Sequence, residues 1–459
     1  MKTRFGMAAI ALGLAFVALG AIAPAAESST GDDAPQTDAQ RVALEKGASD
    51  AAKAATTAIE KSNPKHLPAF PGAEGFGALA TGGRGGEIIH VTNLNDSGPG
   101  SFRDAVSQPN RVVVFDVGGV IKLAKEVTVS SNITILGQTA PGEGICFYNN
   151  SVSLGGQSNI IIRYLRFRQG MAGDRGKKAL GMDKSSNIII DHCSIEWGRW
   201  DDLGITVGST TITVQNCIMA EGIHPQSFGA LIDTVTNVTL SHNLWMSNES
   251  RNPKAKGTIQ YINNVVYNWG GTGLCGGHSG ADHSLDVINN YFIKGPSSNN
   301  QFAGQFTKTD HVYQRGNLVD LDCDGKLNGV PVTTAGFTDK DGSPTFVKEP
   351  AMHPAIAVTT ESAEDAYAKI VADAGCSWRR DAVDLRLISE LTSLGTKGKT
   401  LPHTDDKGEA LAGGLAELKS GSTPTSLPAD PTKLNISGYM NIEVYANGLV
   451  SPAPSNSAR

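Results

Sequence analysis

Leu240-Ser-His-Asn-Leu-Trp245, Ile262-Asn-Asn-Val-Val266 and Ile288-Asn-Asn-Tyr-Phe292 share one pattern: an aliphatic residue, a polar pair or triplet ending in Asn, then an apolar pair. Related runs lie on either side. Ile162-Arg-Tyr-Leu-Arg-Phe167, Ile190-Asp-His-Cys-Ser-Ile195 and Val214-Gln-Asn-Cys-Ile-Met219 precede them, and Arg315-Gly-Asn-Leu-Val319 follows. Registered on one position, the series is Leu165, Cys193, Cys217, Asn243, Asn264, Asn290 and Asn317, with steps of 28, 24, 26, 21, 26 and 27 residues. Short β-type runs at a near-constant period, with no helical periodicity, mark a solenoid. Equivalent positions then stack one rung apart, roughly 4.8 Å. A column of buried Asn side chains can satisfy itself by bonding along the stack. The expected fold is all-β, a right-handed parallel β-helix.

Solenoids need capped ends. Ser101-Phe-Arg-Asp-Ala-Val106, after Gly98-Pro-Gly100, reads as a capping helix. The helical stretch Ala363–Ala374 is a candidate cover for the other end. Residues 392–433 read as loop, and Gly438-Tyr-Met-Asn-Ile-Glu-Val-Tyr445 as a small amphipathic end piece. At the N-terminus, Lys2 and Arg4 precede the apolar run from Met7 to Ala23, and Ala23-Pro-Ala25 offers a cleavage pattern. Residues 1–25 thus read as a secretory signal peptide, which predicts a secreted or periplasmic protein without membrane contact once it is removed. Residues 26–67 read as a flexible linker with a short helix near 39–46, dispensable for folding. The β-helix is assigned to 68–325 and a C-terminal cap and extended loop region to 326–459.

Composition agrees. Glycine is abundant, at 53 of 459 residues, and the net charge of −6 argues against nucleic acid as a partner. A monomer is expected. The six cysteines include no C-x-x-C, which argues against a zinc module. Cys193 and Cys217 fall on adjacent rungs, within reach of a disulfide, and Cys323 with Cys376 is a second candidate pair.

The stretch that carries chemistry is Arg251-Asn-Pro-Lys-Ala-Lys256, three cations within six residues between two β-type runs. Alone, it reads as a solvated basic loop, with a cationic cleft for an acidic substrate as the sharper alternative. The surrounding motifs decide. Ala69-Phe-Pro-Gly-Ala-Glu-Gly-Phe-Gly77, Thr81-Gly-Gly-Arg-Gly-Gly86, Val91-Thr-Asn-Leu-Asn-Asp-Ser-Gly-Pro-Gly-Ser-Phe-Arg103, Asn187-Ile-Ile-Ile-Asp-His-Cys-Ser194, the Arg251 turn and Asn263-Asn-Val-Val-Tyr-Asn-Trp269 occur in the order found in the pectate lyase family, the group that also holds pectin lyases. The chain resembles that family from about 69 to 320, and more weakly to 390.

The resemblance implies β-elimination on pectic galacturonan. A base removes the C5 proton beside the uronate carboxylate, the C4–O bond breaks, and positive charge on the carboxylate stabilises the intermediate. Arg251 falls on the family's base position. Lys256 falls where the family places a second Arg, keeping the charge without the bidentate fork. Lys254 and Lys178 are further candidates for holding substrate. Where the family has a third cation, this chain has Ala220-Glu-Gly-Ile-His-Pro-Gln-Ser-Phe-Gly229, so His224 or Gln226 would take its place. The family's calcium acids fall on Gly176, Lys178, Asp202 and Thr206, only one of which is a carboxylate. Calcium is therefore left open: either Lys178 replaces it, or Asp174, Asp183, Asp201 and Asp202 build a shifted site. Asp191 and His192 read as structural. His278, Asp282 and His283 read as a polar rim loop, with a transition-metal site as the alternative. The expected partner is polygalacturonate or pectin. Two rival readings remain: a non-catalytic pectin-binding β-helix, and a glycoside hydrolase, which needs two facing carboxylates.

Overall fold

Each of the seven registered positions follows a residue in the left-handed region: Tyr164, His192, Asn216, His242, Asn263, Asn289 and Gly316, with φ from 52° to 66°. Asn and Gly tolerate that conformation best, and they hold four of these seven corners, with Tyr164, His192 and His242 at the others. After it come short strands, Arg166–Arg168, Ser194–Glu196, Ile218–Ala220, Leu244–Met246, Val265–Tyr267, Tyr291–Ile293 and Leu318–Asp320, all parallel and in register. Val117–Lys122 and Ile145–Tyr148 extend the column toward the N-terminus. A short antiparallel strand closes each edge of this sheet, Gly421–Ser422 at one and Val330–Pro331 at the other. Both edges are thereby shielded from further pairing. A larger, 17-stranded sheet wraps the remaining sides. This computed structural model describes residues 38–404, 406–423 and 426–450. The stretch read as a signal peptide, 1–25, lies outside the described residues.

Inside the coil, Ile160, Ile188, Ile212, Val238, Ile259, Leu285 and Val312 stack in register as a buried aliphatic column. Beside it runs the expected Asn ladder. Asn243 donates to Asn264 at 3.1 Å, Asn264 to Asn290 at 3.1 Å and Asn290 to Asn317 at 2.9 Å. The backbone N–H groups of Asn243, Asn264 and Asn290 donate to the same Oδ1 atoms. Cys217 and Cys193, one and two rungs earlier, are free thiols, with the Cys193 amide 3.4 Å from the Cys217 sulfur. Cys323 and Cys376 are also free and sit apart: the Cys323 thiol lies near the Lys294 carbonyl, and the Cys376 backbone N–H donates to Ser194 Oγ.

Three elements differ from the sequence expectations. First, the supposed linker holds a helix over Asp38–Ser62, well beyond 39–46. It buries Ala48, Ala55 and Ile59, and Asn63 fastens its end by donating to the carbonyls of Leu67 and Leu79. The alanine-rich composition hid a narrow apolar stripe. Second, Ala363–Asp373 does not cap the far end. With Ala382–Leu391 it covers the flank of the nine-strand column, where Ile370, Val383 and Leu387 pack against Ile218, Leu244, Val265 and Tyr267. Phe302, Phe306, Phe337 and Phe346 fill the far end instead. Third, the region from 326 is not a separate body. It returns along the coil, pairs Gly421–Ser422 with the first rung, and ends in the helix Asn441–Val450 against Val112, Val114 and Leu136. The Phe102–Ala105 helix, capped by Ser101, is where the sequence put it.

Candidate active site

The strand Lys254–Ile262 pairs on one side with Phe228–Ser241 and on the other with Leu274–Cys275 and His283–Ile288. Ala255 is buried in the core, so the alternation of a strand turns Lys254 and Lys256 to the outer face. Two registered rows cross that face. Gly181, Gly204, Leu231 and Lys254 form one, and Asp183, Thr206, Asp233 and Lys256 the other. Lys178 belongs to the first row through its side chain: a Cβ on Gly204 would meet its Cγ, Cδ and Cε within 3.0 Å. The glycine leaves a trough in which the Lys178 stem lies. Lys178 thus lies on the same face as Lys254 and Lys256, whose strand is two rungs beyond Gly204. Lys256 faces the Asp233 carboxylate at 3.7 Å.

Arg251 precedes this strand, itself in the left-handed region at φ 59°. Tyr261 anchors the turn by donating its hydroxyl to the Asn252 carbonyl at 3.0 Å. The Arg251 guanidinium lies 4.2 Å from the Phe228 ring centre and 3.3 Å from Asp201 Oδ1. Arg251, Lys254 and Lys256 are all buried.

The four acids considered for a metal do not meet. Asp201 faces Arg251. Asp202 accepts the Gly198 N–H at 2.9 Å through Oδ1, while its buried Oδ2 has no partner. Burial pushes the Asp202 carboxyl well above its usual range, against the Gly198 hydrogen bond and with help from Glu196, Asp201 and Glu221. Asp183 accepts the Thr206 hydroxyl, and Asp174 is exposed. Calcium requires several converging oxygen ligands. An enclosed Asp202 and three dispersed acids do not converge in that way. Asp201 and Asp202 likewise fail as a facing hydrolase pair, since one meets Arg251 and the other is enclosed.

His224 is occupied by the returning chain: its Nδ1 meets the His403 carbonyl, and its Nε2 lies 3.3 Å from Asp406. Gln226 is half-buried on the same loop. His278, Asp282 and His283 do not converge either. His283 is buried, 2.8 Å from the Ser279 hydroxyl, while Asp282 faces His311 at 3.7 Å. Burial, and then Lys256, push His283 down to about 4. Asp191 and His192 are structural: Asp191 binds Arg163 at 2.8 Å, and His192 lies between Asp191 and Asp373.

Several partners had no sequence signal. Phe228, Asp201 and Asp233 reach Arg251 and Lys256 only through rung stacking. The Asp320-Leu-Asp-Cys-Asp-Gly325 run has the spacing of the first half of a calcium loop, a signal the sequence reading passed over. Its twelfth position is Pro331 rather than Glu, and Asp324 is tied to Lys326 at 2.8 Å. No group of three or more His, Cys, Asp or Glu side chains that could hold a metal occurs among the described residues.

A family model described as pectate lyase matches residues 77–376. The chain belongs to the pectate lyase family. Proteins named probable pectate lyase C from Aspergillus flavus and Neosartorya fischeri are 42% and 43% identical to it, over 84% of this chain and 94% of theirs. A more distant probable pectate lyase B from Aspergillus terreus is 30% identical over 55% of the chain. Among solved structures, the cedar pollen allergen jun a 1 superposes at TM-score 0.50 with 20% identity, covering 66% of this chain and 92% of its own. The thermostable pectate lyase PL 47 does so at 0.50 with 16% identity, covering 69% and 99%. The protein is a polysaccharide lyase with a parallel β-helix.

Proposed function

We propose that the protein is exported and cleaves pectic galacturonan by β-elimination, with Arg251 as base. The observation that carries this reading is the outer face that Lys178, Lys254 and Lys256 share beside the Arg251 turn. Family membership and the names of its relatives support the substrate class; the apolar N-terminal run supports export. Among the described residues no helix is long and apolar enough to cross a membrane.

In this reading the polymer lies across the rungs with a uronate carboxylate among the lysines. Their charge stabilises the electron pair that gathers on the carboxylate as the C5 proton leaves. Arg251 takes that proton, the C5 electrons form the C4–C5 double bond, and the C4–O bond breaks. The leaving oxygen gains a proton, and an unsaturated uronate ends the departing chain. At rest, Asp201 and the Phe228 ring both favour the charged guanidinium. Arg251 becomes a base when substrate brings it among the lysines and away from Asp201. No step runs through calcium.

The test is Arg251→Lys with polygalacturonate, following ultraviolet absorbance of the unsaturated product. Turnover should fall by at least ~10³-fold, the upper range for losing one essential group, while the fold persists. A variant that keeps near wild-type rates removes Arg251 from the chemistry. Reducing ends without unsaturated product would indicate hydrolysis.

A further inference from the structure

Far from the cleft, an open cavity of about 510 Å³ lies where the first rungs meet the end of the N-terminal helix. Its size is ordinary for a small-ligand pocket, roughly 300–1,000 Å³. Asn110, Asn132 and Asn159 line one wall, part of a second column of asparagines that continues to Asn187, each one residue before the registered Arg111, Ile133, Ile160 and Ile188. All four are left-handed, with φ of 63°, 56°, 58° and 55°. The amides form a ladder that runs toward the N-terminal end: Asn187 donates to Asn159 at 3.1 Å, and Asn159 to Asn132 at 2.9 Å.

There the ladder stops. The Asn132 Nδ2 donor and the Asn110 amide make no hydrogen bond with protein among the described residues, and Asn110 is exposed. The end of the ladder therefore presents two amide groups to the cavity. Lys65 also lines the cavity, exposed and without an ion pair among the described residues, whereas the other lining cation, Arg84, is paired with Glu443 at 3.0 Å. No carboxylate lines the cavity, in a chain whose net charge is −6. Pro64 and Leu434 supply an apolar surface. Planar amides that both donate and accept suit vicinal hydroxyls, a lone ammonium suits a carboxylate, and the apolar wall suits the C–H face of a ring.

We propose that this cavity is a second binding site, for a uronic-acid residue of an acidic polysaccharide. The identity of the sugar as galacturonate rests on the proposed function. Six registered rungs separate Asn110 from the strand that carries Lys254 and Lys256, or about 29 Å at the usual rung spacing. A long polymer can occupy both sites at once, which raises the local concentration of substrate at the cleft. A trisaccharide is too short to bridge them.

The test uses the full chain and galacturonic acid carrying a photoreactive diazirine at its reducing end; a monosaccharide has no glycosidic bond to cleave. After irradiation, labelled peptides are mapped by mass spectrometry. Labelling is expected on the segments around 62–67 and 81–85, competed by galacturonate but not by glucose or acetate, and lost in Lys65→Glu. Competition by acetate alone would reduce the site to a general anion contact and overturn the sugar assignment. Labels confined to the cleft strands would overturn the site. In parallel, Lys65→Glu and Asn110→Ala, both exposed, should raise KM for polygalacturonate several-fold while kcat and the KM for trigalacturonate stay unchanged. An unchanged polymer KM in both variants would overturn the tethering role. If no unsaturated product forms at all, the lyase reading fails, while the labelling result still decides the cavity.

Discussion

Replacing Asn264 by Leu tests the ladder that sets the register of the coil. The side chains are close in size, so the substitution opens little space; its cost is unmet hydrogen bonding. Asn264 Oδ1 accepts from the Asn243 N–H at 3.1 Å, from Asn243 Nδ2 at 3.1 Å and from Trp245 Nε1 at 3.3 Å. Its Nδ2 donates to the Leu240 carbonyl at 2.9 Å and to Asn290 Oδ1 at 3.1 Å. Some of these partners have alternatives. Asn243 Nδ2 keeps the Val214 carbonyl, and Asn290 Oδ1 keeps the Asn264 N–H. The Asn243 N–H and the Trp245 indole N–H do not, and both are fully buried. At ~1–3 kcal/mol for each stranded group, plus the lost bond to Leu240, the loss should be about 3–6 kcal/mol. Urea unfolding followed by circular dichroism measures it, with amide hydrogen exchange localising the damage to the rungs around Leu244 and Val265. The exposed Asn110→Ala should stay within about 0.5 kcal/mol of the parent. A loss below ~1 kcal/mol for Asn264→Leu would refute the claim that the ladder, rather than the aliphatic column, holds the register.

Other consequences follow from the same structure. Lys178→Ala should reduce kcat/KM by roughly 2–4 kcal/mol if the ammonium acts like one oxyanion-hole donor, while chelators slow the parent enzyme little; full loss on chelation with rescue by calcium would refute this. His192 gives a pH dependence: burial opposes its charge, but Asp191 and then Asp373 outweigh it and raise it to about 9. Its stabilisation is complete below the ordinary value near 6.5 and is lost as pH rises through about 9, by at most ~3 kcal/mol. The contacts of 2.8 and 3.1 Å are poorly angled for hydrogen bonds, so the loss should fall short of that ceiling; a His192→Gln variant with an identical alkaline stability profile would show that the ion pairs contribute nothing. Ile59→Ala should cost roughly 2 kcal/mol by thermal unfolding, and no loss would mean that the N-terminal helix rests on the coil without stabilising it.

The coil was legible because its signal is local and repeated. Asn243, Asn264, Asn290 and Asn317 recur at one position, and each is preceded by His, Asn or Gly, residues that suit or tolerate the left-handed corner. The N-terminal helix was not legible, because Ala48, Ala55 and Ile59 bury a stripe too small to stand out in an alanine-rich segment. The position of Ala363–Asp373 was missed for a different reason. Its amphipathic face was plain, but its target is a surface assembled from Ile218, Leu244 and Val265, on three different rungs. The same holds for the buried ion cluster that fixes the next helix, in which Arg168 binds Glu196, Asp381 and Asp384. In the cleft, Arg251, Lys254 and Lys256 were legible from one turn. Asp201, Phe228 and Asp233 were not, since each becomes a neighbour only once the register is known.

That register also explains how the proposed cleft can manage without a metal cage. A uronate lyase must place positive charge on the carboxylate beside the C5 proton. A metal does so only where carboxylates converge to hold it, and the outer face here offers Gly204 and Thr206 at the corresponding rung, with Asp202 enclosed. Gly204 has the opposite use: it leaves the trough that admits the Lys178 stem, so the charge arrives on a covalently attached ammonium. Two rungs further, Lys254 occupies the same row. The spacing of these lysines is set by backbone hydrogen bonds between rungs rather than by ligand geometry. Asp233, one rung from Lys256 and 3.7 Å from its ammonium, moderates that charge without cancelling it. Arg251 then differs from its neighbours in kind. It meets a buried carboxylate, Asp201, and an aromatic ring, and both favour its charged form in the resting protein. In the proposed complex the guanidinium turns from Asp201 toward the lysines, whose positive charge favours loss of its proton. On this reading substrate binding itself prepares the base, and an Arg251 left beside Asp201 stays protonated and idle.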